Sequence, residues 1–333
     1  MPFRWGIVGF GWVARDHMAP AIAAAAQQLV GVADPSPGAR AKAEAAGLEA
    51  FGSAAELLER RPDAIYVATP NHLHLPPVAE AARAGIPVLC EKPMAATLGQ
   101  AEEIAVAAEP VLYGTAFDQR HHPAHRATAR EIADGAIGQV TAVRIGYACW
   151  VDPRWRPPGA ENEEGNWRAN PQAAGGGAVF DLALHGLDLA QLLLGEPLVR
   201  LHIELQRRVH DYPVDDGGML SGRFASGALF GSHVAYNCPE ALPRRRLEVI
   251  GDRGAIVAID TMGQSAGGTA VLTCGRRGEQ RPIAFDTGLS PFAAQAAAFA
   301  DAVHGRPHDF SLSRDLTLMR LFAGAYDRAI ACL

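Results

Sequence analysis

The stretch from Arg4 to Ala14, RWGIVGFGWVA, constrains the fold more than any other part of the chain. Trp5-Gly6-Ile7-Val8 is an apolar run without polar alternation, the pattern of a strand buried on both faces of a parallel sheet. Gly9-Phe10-Gly11-Trp12-Val13-Ala14 follows at once as a G-x-G-x-x-A turn. In such a turn the first glycine reverses the chain, the second lets a pyrophosphate reach the backbone, and the small third residue lets the next helix pack closely. The phosphates then meet unpaired N–H groups at the helix start. Glycine-rich turns follow many buried strands, so context decides. A helical segment, 13–27, comes next, and a second apolar strand, 29–33, ends in Asp34. Asp34 lies 20 residues beyond Ala14, where a dinucleotide fold places the carboxylate that accepts from the ribose hydroxyls. The competing reading is a turn residue ahead of Pro35. Taken together, Gly9, Phe10, Gly11, Trp12, Val13 and Asp34 are expected to bind a dinucleotide.

Apolar strands at 64–68, 87–90 and 111–114 alternate with helices at 36–47, 54–60, 77–84 and 97–107. This order predicts an α/β unit over 1–118, a Rossmann doubly wound parallel sheet. Ligands bind such sheets at the carboxyl ends of the strands. There the chain delivers Thr69, Pro70, Asn71 and His74, and then Glu91, Lys92 and Pro93. From about residue 124 the pattern changes, and 119–333 reads as an α+β unit for substrate binding and oligomerisation. It contains helices at 127–135 and 175–194 and an alternating strand at 139–147. Strand-like stretches follow at 199–208, 218–224, 228–236, 246–250, 255–259, 269–274 and 282–285. Consecutive strands with short turns predict a large, mainly antiparallel open sheet with helices on one face. A Pro/Gly/Trp loop, 151–172, is too long for a connector and is a candidate lid. Helices at 291–303 and 314–331 end the chain, the last free to return to the first unit.

At 333 residues the chain suits two domains. A net charge of −6 with scattered arginines gives no nucleic-acid footprint. No apolar run reads as a membrane span, and the first strand leaves no room for a signal peptide, so a cytoplasmic protein is expected. The five cysteines are widely spaced and read as reduced thiols. Of 30 basic residues only Lys42 and Lys92 are lysine. Lysine alone can lose its proton near neutral pH when desolvated. Lys42 reads as solvated helix surface, which singles out Lys92.

Asp181 and His185 are four residues apart in an apolar helix preceded by Gly175-Gly176-Gly177. At that spacing they share a face, and a carboxylate beside an imidazole makes a proton acceptor and donor near pH 7. An isolated pair of this kind more often decorates a surface. Here Leu182, Ala183, Leu187, Ala190, Leu193 and Leu194 require burial, which favours a site. The triple glycine is expected to admit another backbone or a cofactor ring. Asp181, His185 and Asp188, or His121, His122 and His125, match no strong metal spacing, and no metal is expected. His122 and His125 are expected to face solvent or substrate. Arg120, His122, Arg156, Trp167, Arg168 and Asn170 offer donors and a flat ring to a polyhydroxylated substrate, although each could equally serve packing.

The chain resembles the glucose-fructose oxidoreductase / inositol dehydrogenase / MocA family over nearly its whole length. The resemblance rests on Gly9 to Ala14, Ala68-Thr-Pro-Asn-His-Leu-His74, Cys90-Glu-Lys-Pro93, Trp167-Arg168, and Gly175 to Gly177 with Asp181 and His185. It implies a catalytic group of Lys92, Asp181 and His185, a nicotinamide beside Lys92, and a cis peptide before Pro93. It further implies hydride transfer between the cofactor and a secondary hydroxyl of a sugar, cyclitol or related polyol. In that scheme His185 is the base, Lys92 orients the hydroxyl, and Asp181 tunes both. Asp34 favours NAD by repelling a 2′-phosphate, while Ser36 and Arg40 keep NADP open. Two alternatives are an NAD-dependent glycosidase using transient oxidation and a non-catalytic nucleotide sensor. The helices cannot cover both faces of the second sheet, so a homodimer or homotetramer is expected.

Overall fold

In the computed structural model, the described residues are 2–155, 166–275 and 277–333. Two sheets organise the chain. The first has the order β3-β2-β1-β4-β5-β6, all parallel. Its strands are β1 (Arg4–Val8), β2 (Gln28–Ala33), β3 (Ala50–Phe51), β4 (Ala64–Val67), β5 (Val88–Glu91) and β6 (Tyr113–Ala116). Every residue of β4 and β6 is buried, as uninterrupted apolar runs require when helices cover both faces. The strand order reverses between β1 and β4, so a crevice opens at their carboxyl ends.

The second sheet has the order β14-β13-β12-β11-β7-β10-β9-β8. Its strands are β7 (Val140–Ala148), β8 (Leu198–Gln206), β9 (Gly217–Phe224), β10 (Leu229–Ala235), β11 (Arg245–Gly251), β12 (Gly254–Ile259), β13 (Thr269–Cys274) and β14 (Glu279–Pro282). All pairs are antiparallel except β7 with β10. The expected final strand at 282–285 lies three residues earlier, because Ile283 turns into the core while β14 is exposed on its edge. The chain also has a short β3 that the sequence pattern did not reveal.

Helix Ala178–Leu194 packs on the second sheet against β7 and β10. Its sequence is mostly apolar, so most of its surface is buried. Contrary to expectation, the run Pro171–Leu194 is long and apolar enough to cross a membrane, and 78% of its apolar window is buried within the protein. Both final helices return towards the first sheet. Phe292, Ala296 and Phe299 of helix Pro291–Val303 share a core with Trp5, Ile7 and Met18. Helix Leu312–Ile330 packs on β8 and on helix Leu98–Ala108.

A buried ion pair ties these layers together. Arg120 donates through Nε and Nη2 to the two carboxylate oxygens of Asp188 at 3.0 and 2.7 Å, and through Nη1 to Asp309 at 3.2 Å. Arg120 is only 4% exposed and Asp188 is fully buried. Removing one partner of such a pair leaves an uncompensated charge in the interior. Asp188→Asn is therefore expected to destabilise the protein by about 3 kcal/mol or more, read as a lowered urea midpoint.

Candidate active site

The glycine turn leaves β1 and is held from three sides. Gly9 has φ +87°, and a Cβ there would lie 2.8 Å from the Ala68 carbonyl and the Thr69 nitrogen. Its N–H donates to Ala33 O at 2.8 Å. Glycine is thus required at this position by both conformation and contact. Gly11 differs, because a Cβ there meets nothing within 4 Å and the space beside it is open. The Asp34 carboxylate accepts from Phe10 N and Ser36 N, each at 2.8 Å. Each oxygen keeps a further lone pair for a hydroxyl donor. Arg40 Nη1 donates to the main-chain carbonyls of Asp34 and Pro35 at 2.8 Å.

A cavity of about 540 Å³ runs along this turn. Gly9 to Val13, Asp34, Thr69, Pro70, Asn71, Glu91 and Lys92 line it from the first sheet. Asn166, Trp167, Arg168, Asp181, His185 and Gln264 line it from the other side. His74 and Pro93 are buried outside the lining. The two ring nitrogens of His74 instead face Met94 O at 3.1 Å and Thr69 O at 3.0 Å, bracing the Thr69 segment. The Lys92–Pro93 peptide is cis. Asn71 reaches across to donate to Ala174 O at 2.8 Å.

A cluster of charged and polar side chains stands at the end of β5. Lys92 Nζ donates to Asp181 Oδ1 at 2.6 Å and to Asp181 O at 3.0 Å. Tyr236, one residue beyond β10, donates its hydroxyl to Asp181 Oδ2 at 2.5 Å. Burial would raise the Asp181 carboxyl, but Lys92, then Arg168, then the Tyr236 bond hold it well below the usual carboxylate range. With both oxygens engaged by Lys92 and Tyr236, Asp181 is not the contact of His185. Instead, His185 Nδ1 lies 3.1 Å from Asp118 Oδ1 in an off-line polar contact. Asp118 follows β6 closely and also lines the cavity. Beside them, Glu91 accepts from the Tyr66 hydroxyl and, at 3.2 Å, from Lys92 N. Burial pushes the Glu91 carboxyl up despite the nearby Lys92 charge.

Several expectations need correction. Arg120 is engaged with Asp188 and Asp309 rather than lining the cavity. His122 and His125 are fully buried. His122 Nδ1 caps helix Pro123–Ala133 by accepting from Ala124 N at 3.2 Å, and it too is absent from the cavity wall. His125 sits between Gln119 O and the Thr261 hydroxyl at 2.8 and 3.0 Å. The triple glycine serves protein packing rather than a cofactor ring. Cβ atoms at Gly175, Gly176 and Gly177 would collide with Ala96 O, the Tyr326 ring and hydroxyl, and the Asp215 backbone. The Asp215 carboxylate in turn accepts from Gly177 N at 3.0 Å and Val179 N at 2.8 Å, capping the Asp181 helix from another element. Arg156 lies outside the described residues. Among the described residues no three His, Cys, Asp or Glu side chains are grouped to hold a metal.

Above the cavity, Arg168 stacks over Trp167 at 4.7 Å and over Trp155 at 5.5 Å. Trp155 meets Trp12 of the glycine turn edge-on at 6.0 Å. Sequence reasoning missed Asp118, Tyr236, Gln264 and Phe292 as members of the site. The rule that ligands gather at the carboxyl ends of parallel strands could have pointed to Asp118, which follows β6.

The open side of Gly11, the unused lone pairs of Asp34 and the buried hydroxyl of Thr69, which has no partner among the described residues, fit a nicotinamide dinucleotide. Fold and cleft together define an NAD(P)-dependent oxidoreductase. Residues 3–111 match the oxidoreductase family with an NAD-binding Rossmann fold, and residues 125–257 match the GFO/IDH/MocA C-terminal domain. The chain belongs to that family. It is 33% identical over 316 residues to the 1,5-anhydro-D-fructose reductase of Ensifer adhaerens, covering 91% of this chain and 90% of the relative. It is 31% identical over 291 residues to the levoglucosan dehydrogenase of Pseudarthrobacter phenanthrenivorans, covering 76% and 72%. Levoglucosan dehydrogenase in complex with NADH and levoglucosan superposes with a TM-score of 0.85 at 22% identity, covering 99% and 98%. A mutant of a 3-ketoreductase from Actinomadura kijaniata, in complex with TDP-benzene and NADP, gives 0.79 at 25%, covering 99% and 98%.

Gly11→Ala should leave the fold intact and weaken NADH binding at least about tenfold in a fluorescence titration, since its methyl group enters the open side of the turn. Gly9→Ala should instead lower stability. Burial lowers the His121 and His125 imidazoles from 6.5 to about 4 and about 3. Between those values and 6.5 the unfolded chain takes up protons that the folded one refuses. Stability should therefore fall as pH drops through that window, by up to about 1.4 kcal/mol per unit per histidine. Urea midpoints measured at pH 7 and pH 5 check this, and His125→Gln should flatten the difference.

Proposed function

We propose that the protein oxidises a secondary hydroxyl of a sugar, cyclitol or related polyol, with Lys92, Asp181 and His185 handling the hydroxyl proton. The observation that carries this is one cavity shared by Lys92 from the first sheet and His185 from the helix of the second. The nicotinamide, when bound, supplies the hydride acceptor. An ammonium has three donors. Asp181 takes two of those of Lys92, through its carboxylate and its main-chain oxygen. The third remains for the substrate hydroxyl, where a positive donor favours the developing alkoxide. His185 accepts the released proton at Nε2, the nitrogen not turned to Asp118. Asp181 holds the ammonium in place and stays ionised while doing so. In the reverse direction the same groups return the proton to a carbonyl oxygen.

The sugar substrates in the names of the two relatives above support this substrate class. Arg168, Trp167, Asn166 and Gln264 supply the far wall, with donors and a ring face suited to several hydroxyls. Asp34 at the ribose end favours NAD, because a carboxylate repels a 2′-phosphate and Arg40 is turned onto backbone carbonyls. The free cysteines support a cytoplasmic enzyme. The outward face of the second sheet exposes Met219 at 56% and Leu229 at 58%, which supports a homo-oligomer formed through that face.

Lys92→Arg keeps the charge but replaces a compact ammonium with a planar fork. It should lower kcat by about 1,000-fold or more while NADH still binds, and near-normal turnover would remove Lys92 from the reaction. Fluorescence titrations with NADH and NADPH should show tighter NADH binding. Tighter NADPH binding would overturn the role given to Asp34.

A further inference from the structure

We propose that Asp118 is the positioning residue of the proton acceptor: its carboxylate keeps His185 protonated at Nδ1 and leaves Nε2 bare towards the substrate. The proposal rests on the reading of His185 as the base. Asp118 and His185 come from different elements, the turn after β6 and the helix on the second sheet. Their facing atoms are 3.1 Å apart. Both atoms are buried, and among the described residues neither makes a hydrogen bond, their own 3.1 Å contact lying off line. A buried imidazole nitrogen and a buried carboxylate oxygen this close, each lacking any other partner, satisfy each other once the ring turns slightly into line.

The carboxylate is held still. Asp118 Oδ2 accepts from Gln119 Nε2 at 2.8 Å. Gln119 is braced in turn by Gly263, donating to its carbonyl at 2.7 Å and accepting from its N–H at 3.2 Å. With its amide oxygen turned inward, Gln295 of helix Pro291–Val303 accepts from Phe117 N and Asp118 N at 3.2 and 3.3 Å. Burial works against the Asp118 charge, but the His185 imidazole, Gln119 and Lys92 outweigh it and hold the carboxyl below its ordinary value. The group therefore remains an anion at neutral pH.

Other groups face this pair from every side, and each has a different partner or only ring contact. Glu91 and Lys92 approach from the end of β5, with Glu91 tied to Tyr66 and Lys92 to Asp181. Tyr147 of β7 meets the imidazole edge-on at 5.9 Å. Asp181, on the same helix as His185, is taken by Lys92 and Tyr236. His17 and His122 face Asp118 through space. Among the described residues, Asp118 alone is in polar contact with the ring.

The test uses Asp118→Asn in the full chain. The variant is assayed for alcohol oxidation at the pH where kcat/KM is greatest. The rate on the plateau should fall roughly 100-fold, with NADH affinity unchanged. Histidine side-chain nitrogen NMR of the cofactor-free protein, assigned with His185→Asn, reads the tautomer directly. The wild type should show His185 as the Nδ1–H form, and Asp118→Asn should lose that preference. An Nε2–H tautomer in the wild type overturns the proposal, and this measurement needs no variant of Asp118 to fold. An unchanged plateau rate in Asp118→Asn also overturns it. If His185→Asn is itself fully active, the reading of His185 as base fails, and that outcome is separate from the tautomer result.

Discussion

The ion pair between Lys92 Nζ and Asp181 Oδ1, 2.6 Å long, is the contact on which the cleft depends. It joins the end of a strand in the first sheet to the first turn of a helix on the second. Neither charge could be left alone in this half-buried place, because an unpaired ion there would cost several kcal/mol. The pair therefore holds the end of that strand against that helix within the cavity. The surrounding structure serves the same alignment. Asp215 caps the Asp181 helix, the glycines before it let Ala96 and Tyr326 close in, and Asn71 ties the β4 segment to Ala174.

The halves are also joined away from the cleft. Helix Pro291–Val303 belongs late in the chain yet packs on β1, contributing Phe292 to the cavity and Gln295 to the Asp118 backbone. The Arg120–Asp188 pair links the turn after β6 to the same helix that carries Asp181 and His185. Over the mouth, the contact of Trp155 with Trp12 places a loop of the second unit against the glycine turn of the first. A dinucleotide on that turn would thus lie under side chains from both units.

Much of this was legible in the sequence because it is local. The glycine turn, the strand-helix alternation and the Glu91-Lys92-Pro93 strand end each depend on residues close in the chain, and periodicity with turn chemistry reports such features well. What was not legible depends on long-range choice. Asp181 and His185 can reach one another at helical spacing, but a lysine 89 positions away captures the carboxylate, and Asp118 takes the imidazole instead. Arg120 and His122 have the chemistry of substrate ligands, and only burial shows that one neutralises Asp188 while the other caps a helix. The triple glycine announces close approach without naming the partner, which proved to be protein.

In the proposed reaction an amine and an imidazole from two separate units act as one centre. A double-mutant cycle between Lys92→Arg and His185→Asn, followed by reduced-nicotinamide formation with a sugar or cyclitol substrate, decides whether they do. Groups that act as a unit are strongly non-additive. The double variant should lose no more kcat than the more damaged single variant, whereas losses that simply multiply would contradict a shared centre.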